Sequence, residues 1–434
     1  MDKMADVLGR AGAWCGQNKY LSAIKNAFQN FMPLTIAGAI GVLWCNVLVN
    51  ETTGLGMFFK PIMALDFLNP AFQAVNFCTI SCITVGITLG IAQEIGVWNM
   101  GAERAGYIPG LVGLAAWLSV TNTSHMVDGA KEAFTGIAGN ELGATGLFTG
   151  MIIGVLSVEL FCFFEKQDAL KIKMPEQVPP GVARAFEVLV PATITLIITA
   201  CIGSACYNLT GLYLNDVIKN GIQGPLGAVG ATIPGVMIIY LVIMLFWLVG
   251  IHGNNMLSAV KEALFTPLAL ENVEAFNKGE TPKNIINMYF LQMCGEFGGS
   301  GVTIGLVIAI IIFGKREDNK AIASLSLVPG LFNINETVTF GIPMVLNPIL
   351  GIPFVFACLV TILVGYVLTV IGFCPVACLT VPWTTPPIVF GFLACGANVM
   401  GAVTQAILIV VSTVIYVPFL ISYEKYQNKQ AAEA

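Results

Sequence analysis

Around residue 330 a long apolar stretch is broken by Asn333-Ile334-Asn335-Glu336-Thr337-Val338-Thr339-Phe340-Gly341, then by Pro343, Asn347 and Pro348. A carboxylate and three Asn side chains stand where the flanking residues read as lipid-buried helix. An ionisable group at membrane depth costs several kcal/mol unless it lines a cavity or finds a partner. Few Lys or Arg lie in the apolar segments to pair with Glu336, so it is the first candidate for chemistry on a bound substrate. A second break, Trp247-Leu248-Val249-Gly250-Ile251-His252-Gly253-Asn254-Asn255, holds one of only two histidines. Its glycines let the helix unwind and backbone approach a ligand. His252 reads as a ligand-facing group or as a capping side chain. A third, Gly295-Glu296-Phe297-Gly298-Gly299-Ser300-Gly301-Val302-Thr303, sets a carboxylate among four glycines, as a tight structural turn or a contact surface.

Trp247 and Trp383 lie in broken segments. An indole face packs against pyranose C–H groups and its N–H donates to a hydroxyl, which suits a sugar. The alternative for both is an interfacial belt position. His125 reads as a surface residue. Asn140 and Glu141, in a loop expected outside, could approach an external gate.

The elements that must position these groups follow from composition. The chain has 434 residues, 56% hydrophobic and 10% charged, against about a quarter charged in soluble domains. Its mean hydropathy is +0.82. Apolar runs of spanning length recur near 31–49, 72–93, 106–121, 147–165, 186–208, 229–250, 299–314, 352–373 and 401–422. These runs do not alternate as barrel strands do. The expected fold is therefore an all-α polytopic membrane protein, with re-entrant or broken helices over 250–298, 321–350 and 380–400. Glu271–Asn284 reads as a loop and 165–184 as a polar connector. The first 25 residues lack the compact apolar core of a signal peptide and read as an amphipathic interfacial helix. Lys3, Arg10, Lys19, Lys25, Arg104, Lys166, Lys171, Lys173 and Arg184 outnumber Lys60, Lys131 and Lys219 on the opposite side, which orients the N-terminus to the cytoplasm. Smooth helices up to 210 and interrupted ones after it divide the chain into a scaffold half, 1–210, and a substrate half, 211–434.

Several classes fall away. The net charge of −5 argues against nucleic acid. No GxxxxGK[ST] or TVGYG-like filter is present. The twelve cysteines are scattered through apolar runs, and Cys374 and Cys378 have no second pair or His cluster for zinc. No metal and no cofactor is expected.

His252-Gly253-Asn254-Asn255, Leu327-Val328-Pro329-Gly330-Leu331-Phe332-Asn333-Ile334-Asn335-Glu336 and Phe340-Gly341-Ile342-Pro343-Met344-Val345-Leu346-Asn347-Pro348 resemble the IIC membrane component of the bacterial phosphoenolpyruvate-dependent phosphotransferase system, lactose/cellobiose type. Thr337 stands where many relatives have Pro. The resemblance covers essentially the whole chain. It implies a homodimer in the bacterial inner membrane, with about ten spans per protomer, two re-entrant hairpins and surface helices. The N-terminal half would make most of the dimer and the C-terminal half would hold the sugar. It also implies that a cytoplasmic IIB partner, carrying a phosphocysteine charged by IIA, phosphorylates the sugar's primary hydroxyl. The family's motif Glu falls on Glu336 and its motif His on His252.

A sugar hydroxyl is a poor nucleophile, and a carboxylate within reach can take its proton. Glu336 is expected as that base and His252 as the group that orients the hydroxyl, with the reverse assignment open. Trp247, Asn254, Asn335, Asn333, Trp383, Glu296 and Asn140 are expected to contact the sugar. The Asn-rich, Trp-bearing half suits an acetamido sugar such as diacetylchitobiose, and cellobiose or lactose fits similar chemistry. The rival is a proton-coupled sugar symporter with Glu336 as proton carrier.

Overall fold

The computed structural model describes residues 10, 13–14, 17–51, 55–125, 134–175, 177–342, 344–345 and 347–433. Helices dominate. Among the described residues the only sheet is the antiparallel pair β1 (Ser124–His125) and β2 (Phe134–Thr135). A helix satisfies its own backbone without water, as hydrocarbon demands. Five helical runs are long and apolar enough to cross a bilayer: Lys19–Leu48, Ala144–Glu165, Pro180–Thr210, Gly351–Val370 and Val399–Glu433. Two bent helix pairs raise the number to seven, and Ile108–Val120 and Ile233–Leu248 are shorter apolar helices. All nine apolar segments expected from the sequence fall on these runs. The expected interfacial helix over residues 1–25 lies largely outside the described residues. From Lys19 the chain is already in α1 (Lys19–Leu43).

Contacts divide the chain into two compact units. One gathers Gln17–Gly38 and Val75–Gly227; the other joins Ala39–Ala74 to Ala228–Ala434. The sequence boundary at 210 thus differs from the unit boundary at 227, and 39–74 groups with the C-terminal part. Hydropathy is local and does not reveal long-range partners. Trp44 stacks on Phe72 at 4.3 Å, and Asn46 donates to Asn277 Oδ1 at 3.1 Å.

In the first unit α2 (Ile83–Met100), α3 (Ile108–Val120), α4 (Ala144–Glu165) and α5 (Pro180–Thr210) pack side by side. Ala116, Trp117, Val120 and Ile153 form a fully buried cluster. A Cβ on Gly113 would stand 2.3 Å from Ala92 Cβ, so α2 and α3 approach closely through glycine. The polar connector expected at 165–184 holds only a short turn, Asp168–Leu170, before α5 starts at Pro180. A hydrogen bond from Lys171 holds the Asp168 carboxyl below its usual range.

At the start of that connector Glu165 is buried at the end of α4. Its Oε1 accepts from Arg104 at 2.9 Å and from Arg184 at 2.8 Å, while Glu187 takes a second contact from each arginine. Removing Glu165 leaves two guanidinium groups sharing one carboxylate. Glu165→Gln is expected to lower stability by about 1–3 kcal/mol, read as a fall in the thermal midpoint of the detergent-solubilised protein. Arg104→Met, at a half-exposed partner, is expected to cost less.

In the second unit the elements are α6 (Ile233–Leu248), α7 (Gly253–Met256), α8 (Ser258–Asn277), α9 (Met288–Gly295) and α10 (Ile304–Phe313). They are followed by α11 (Glu317–Leu331), α12 (Glu336–Gly341), α13 (Gly351–Val370), α14 (Val389–Ala394) and α15 (Val399–Glu433). α6 and α9 pack on α13, and α10, α13 and α14 pack on α15. The run ending at Val302 meets α10 at 59°, so the glycine-rich third break is a true bend. The loop expected over Glu271–Asn284 is corrected. α8 runs unbroken to Asn277, and only the residues after it form the connection. Its polar end stays helical because Asn272 reaches outward and donates to the carbonyls of Asn284 and Ala377 at 2.8 and 3.0 Å.

Candidate functional site

Three breaks in the second unit build the site. α6 ends at Leu248 and Gly250 turns the chain at φ +82°. α7 then crosses back so closely that a Cβ on Gly253 would lie 2.0 Å from the Ile243 carbonyl oxygen. His252 caps α7. Its Nδ1 accepts the Asn255 N–H at 3.3 Å, and its ring lies 4.4 Å from that of Trp247. In a neutral imidazole one nitrogen accepts and the other carries the proton. The cap therefore assigns the proton to Nε2. That nitrogen faces Glu336 Oε1 at 3.9 Å. The two side chains keep 38% and 47% of their surface open, so both remain accessible. The capping reading of His252 is seen at Nδ1, while Nε2 is turned toward Glu336.

Glu336 opens α12, and its position depends on the loop before it. Asn333 adopts φ +63°, a left-handed conformation that Asn tolerates better than most side chains. Its Nδ2 donates to the carbonyls of Trp383 and Thr385, at 2.5 and 3.1 Å. Its Oδ1 accepts from Gly298 N–H at 2.6 Å. Asn335 is buried and donates to Ser300 O at 2.8 Å. Asn254 donates to Ser300 Oγ at 3.1 Å. Every one of these bonds crosses from one break to another.

Glu296 Oε1 receives both the Tyr240 hydroxyl, at 2.7 Å, and the Lys261 ammonium in a short contact. Lys261 was missed by sequence reasoning. The signal was the pair Lys261-Glu262 within the otherwise largely apolar start of α8, which stands out once that stretch is known to be a buried helix. Trp247 Nε1 and Asn254 Oδ1 are buried beside His252 and have no hydrogen-bond partner among the described residues. A buried unsatisfied donor and acceptor are costly and are the pattern of groups that await a polar ligand. Trp383 is exposed, with its backbone fixed by Asn333. Asn140 belongs to the other unit, exposed on the short helix Gly139–Leu142. Among the described residues no cluster of His, Cys, Asp or Glu is arranged to hold a metal.

The site so assembled pairs a partly exposed carboxylate with a partly exposed imidazole beside the Trp247 indole. The family model described as "Phosphotransferase system, EIIC" matches residues 25–358. The chain belongs to that family. It is 33% identical over 429 residues to the oligo-beta-mannoside-specific EIIC component of Bacillus subtilis (strain 168), covering 98% of this chain and 94% of that one. It is 29% identical over 486 residues to the cellobiose-specific EIIC component of Lactococcus lactis subsp. lactis (strain IL1403), covering 98% of each. Among solved structures it is similar to the transporter ChbC, the IIC component of the N,N'-diacetylchitobiose-specific phosphotransferase system. That match has a TM-score of 0.88, 29% identity and 97% coverage of both chains. This EIIC is thus an integral membrane sugar permease of the cellobiose, lactose and oligosaccharide type, a component of a system in which IIB and IIA partners operate.

The braces make a specific demand on this EIIC. Asn333→Ala removes three side-chain hydrogen bonds and asks Ala to hold φ +63°. The expected cost is about 2–4 kcal/mol, seen as a lower thermal midpoint together with weakened sugar titration. A variant with both unchanged would show that the brace does not set the loop.

Proposed function

We propose that this EIIC carries a disaccharide across the inner membrane and presents its primary hydroxyl to phospho-IIB at the cytoplasmic face, with Glu336 as general base. The observation that carries this reading is the 3.9 Å gap between His252 Nε2 and Glu336 Oε1, with the imidazole proton assigned to Nε2. One hydroxyl oxygen fits between them at about 2.8 Å from each, within normal hydrogen-bond range. It donates its proton to Glu336 and accepts from His252 Nε2–H. The hydroxyl oxygen attacks phosphorus, the phosphorus–sulfur bond of the phosphocysteine breaks, the thiolate leaves and Glu336 keeps the proton. General-base help of this kind contributes roughly 10²–10⁴-fold. The Asn255 N–H on Nδ1 supports the reading in which His252 serves as donor and Glu336 as base.

Trp247 and Asn254 offer their unpartnered donor and acceptor to the sugar, and Trp383 offers an exposed indole face. Asn333 and Asn335 act as braces, and Glu296, held by Tyr240 and Lys261, braces the glycine loop instead of meeting the sugar. Diacetylchitobiose is the proposed substrate, since an acetamido group supplies both an N–H for Asn254 and a carbonyl for Trp247. The names of the similar proteins, for cellobiose, oligo-β-mannosides and diacetylchitobiose, support a β-linked oligosaccharide. The proposed assembly is a homodimer with a cytoplasmic N-terminus and about ten spans per protomer.

Glu336→Gln keeps the shape and removes the base. Sugar phosphate formation from phospho-IIB is expected to fall at least 100-fold, while sugar still binds in a calorimetric titration. Normal turnover in this variant would end the assignment. Uptake into membrane vesicles is expected to require phosphoenolpyruvate and to accumulate sugar phosphate. Prompt arrest by a proton uncoupler, with free sugar accumulating, would establish the symporter instead. Titration with diacetylchitobiose, cellobiose and lactose is expected to rank the first tightest.

A further inference from the structure

His252 and Glu336 sit on separate arms, and each arm leads to the same ion pair. The His252 arm runs through α7 into α8, where Lys261 lies in the first turn. The Glu336 arm rests on the glycine loop through Asn335 to Ser300 and Asn333 to Gly298, and that loop begins at Glu296. Lys261 and Glu296 meet between the arms, and Tyr240 from α6 donates to the same carboxylate oxygen. The Lys261 ammonium also lies 5.6 Å from the centre of the Tyr240 ring. Lys261 and Glu296 are nearly covered, at 8% and 17% side-chain exposure, and Tyr240 is fully buried. Stability is a poor explanation for such a pair. Desolvation offsets most of the attraction, and apolar replacements of both partners are often neutral or better. Geometry is a better one: among the described contacts, this pair and the weaker Asn254–Ser300 bond connect the His252 arm to the glycine loop.

We infer that Lys261, acting through Glu296, is a positioning residue for phosphoryl transfer, setting the His252–Glu336 spacing that one sugar hydroxyl must fit. This rests on the proposal that Glu336 is the base. Near-attack geometry is sensitive to sub-ångström displacement, whereas sugar affinity is spread over many contacts. Loss of the pair therefore separates rate from binding.

The test uses full-length EIIC in liposomes with phospho-IIB, measuring sugar phosphate formed per turnover at saturating diacetylchitobiose and, separately, sugar affinity. Lys261→Met is expected to slow transfer 10- to 100-fold with affinity within threefold of the wild type. Lys261→Arg, which keeps the charge and reaches Glu296, is expected to recover most of the rate. Glu296→Gln is expected to slow transfer similarly, and Lys261→Met with Glu296→Gln to be no slower than either alone, because both act through one contact. If Lys261→Met does not fold, Lys261→Met with Glu296→Met removes both members of the pair and carries the test, with the same slow transfer and retained binding. Transfer within threefold of the wild type in the single or the double variant overturns the inference. So does a rate loss matched by an equal loss of affinity, or losses that multiply in the double variant. Glu336→Gln is run alongside: if it is inactive while Lys261→Met is fast, only the positioning role fails, and if it is active, the base assignment itself fails.

Discussion

A helix broken inside a membrane protein leaves backbone N–H and C=O groups with no water to receive them, and each costs several kcal/mol unless protein supplies a partner. The second unit meets this constraint with amide side chains. Asn333 serves two carbonyls and one N–H from two other breaks. Gln405 accepts from the N–H groups of Ile388 and Gly391 at the start of α14 and donates to the Met293 carbonyl. Asn287 caps α9 with its oxygen and donates to the Asn284 and Ala377 carbonyls with its nitrogen. Amides suit the task because they donate and accept without charge, so they escape the desolvation penalty that a carboxylate or ammonium would incur.

That choice frees the ionisable groups for other work. With the loops closed by neutral side chains, Glu336 need not satisfy backbone and keeps nearly half its surface open beside His252. His252 does both tasks with two nitrogens, one spent on the α7 cap and one turned to the carboxylate. The glycines complete the arrangement from the backbone side. Gly253 lets α7 cross within contact of α6, and Gly299, at φ +88°, leaves room for the Asn335 side chain, whose Cβ lies 2.6 Å from where a Cβ on Gly299 would stand.

Much of this was legible in the sequence. The nine apolar segments follow from hydropathy, because lipid imposes length and composition on each segment separately. The three breaks were legible for the same reason, since Asn, Gly and a carboxylate have no place in plain spanning helix. What the sequence left open depends on partners distant along the chain. The unit boundary at 227 and the transfer of 39–74 to the C-terminal unit reflect contacts that no local window contains. α8 reads as a loop at Glu271–Asn277 only until Asn272 is seen to reach the Ala377 carbonyl. Asn335 reads equally well as a sugar ligand and as a brace, since the same amide does either.

Lys261 is the instructive omission. Glu336 drew attention because it lacked a cationic partner in the sequence, and the buried cation that does exist engages Glu296 instead. Glu296 and Glu336 thereby stand in different surroundings. One is tied to an ammonium and a phenol and shares its oxygen with both; the other has only an imidazole 3.9 Å away, a distance that leaves room for a third group. In the proposed mechanism the base is the carboxylate that the fold leaves underpartnered.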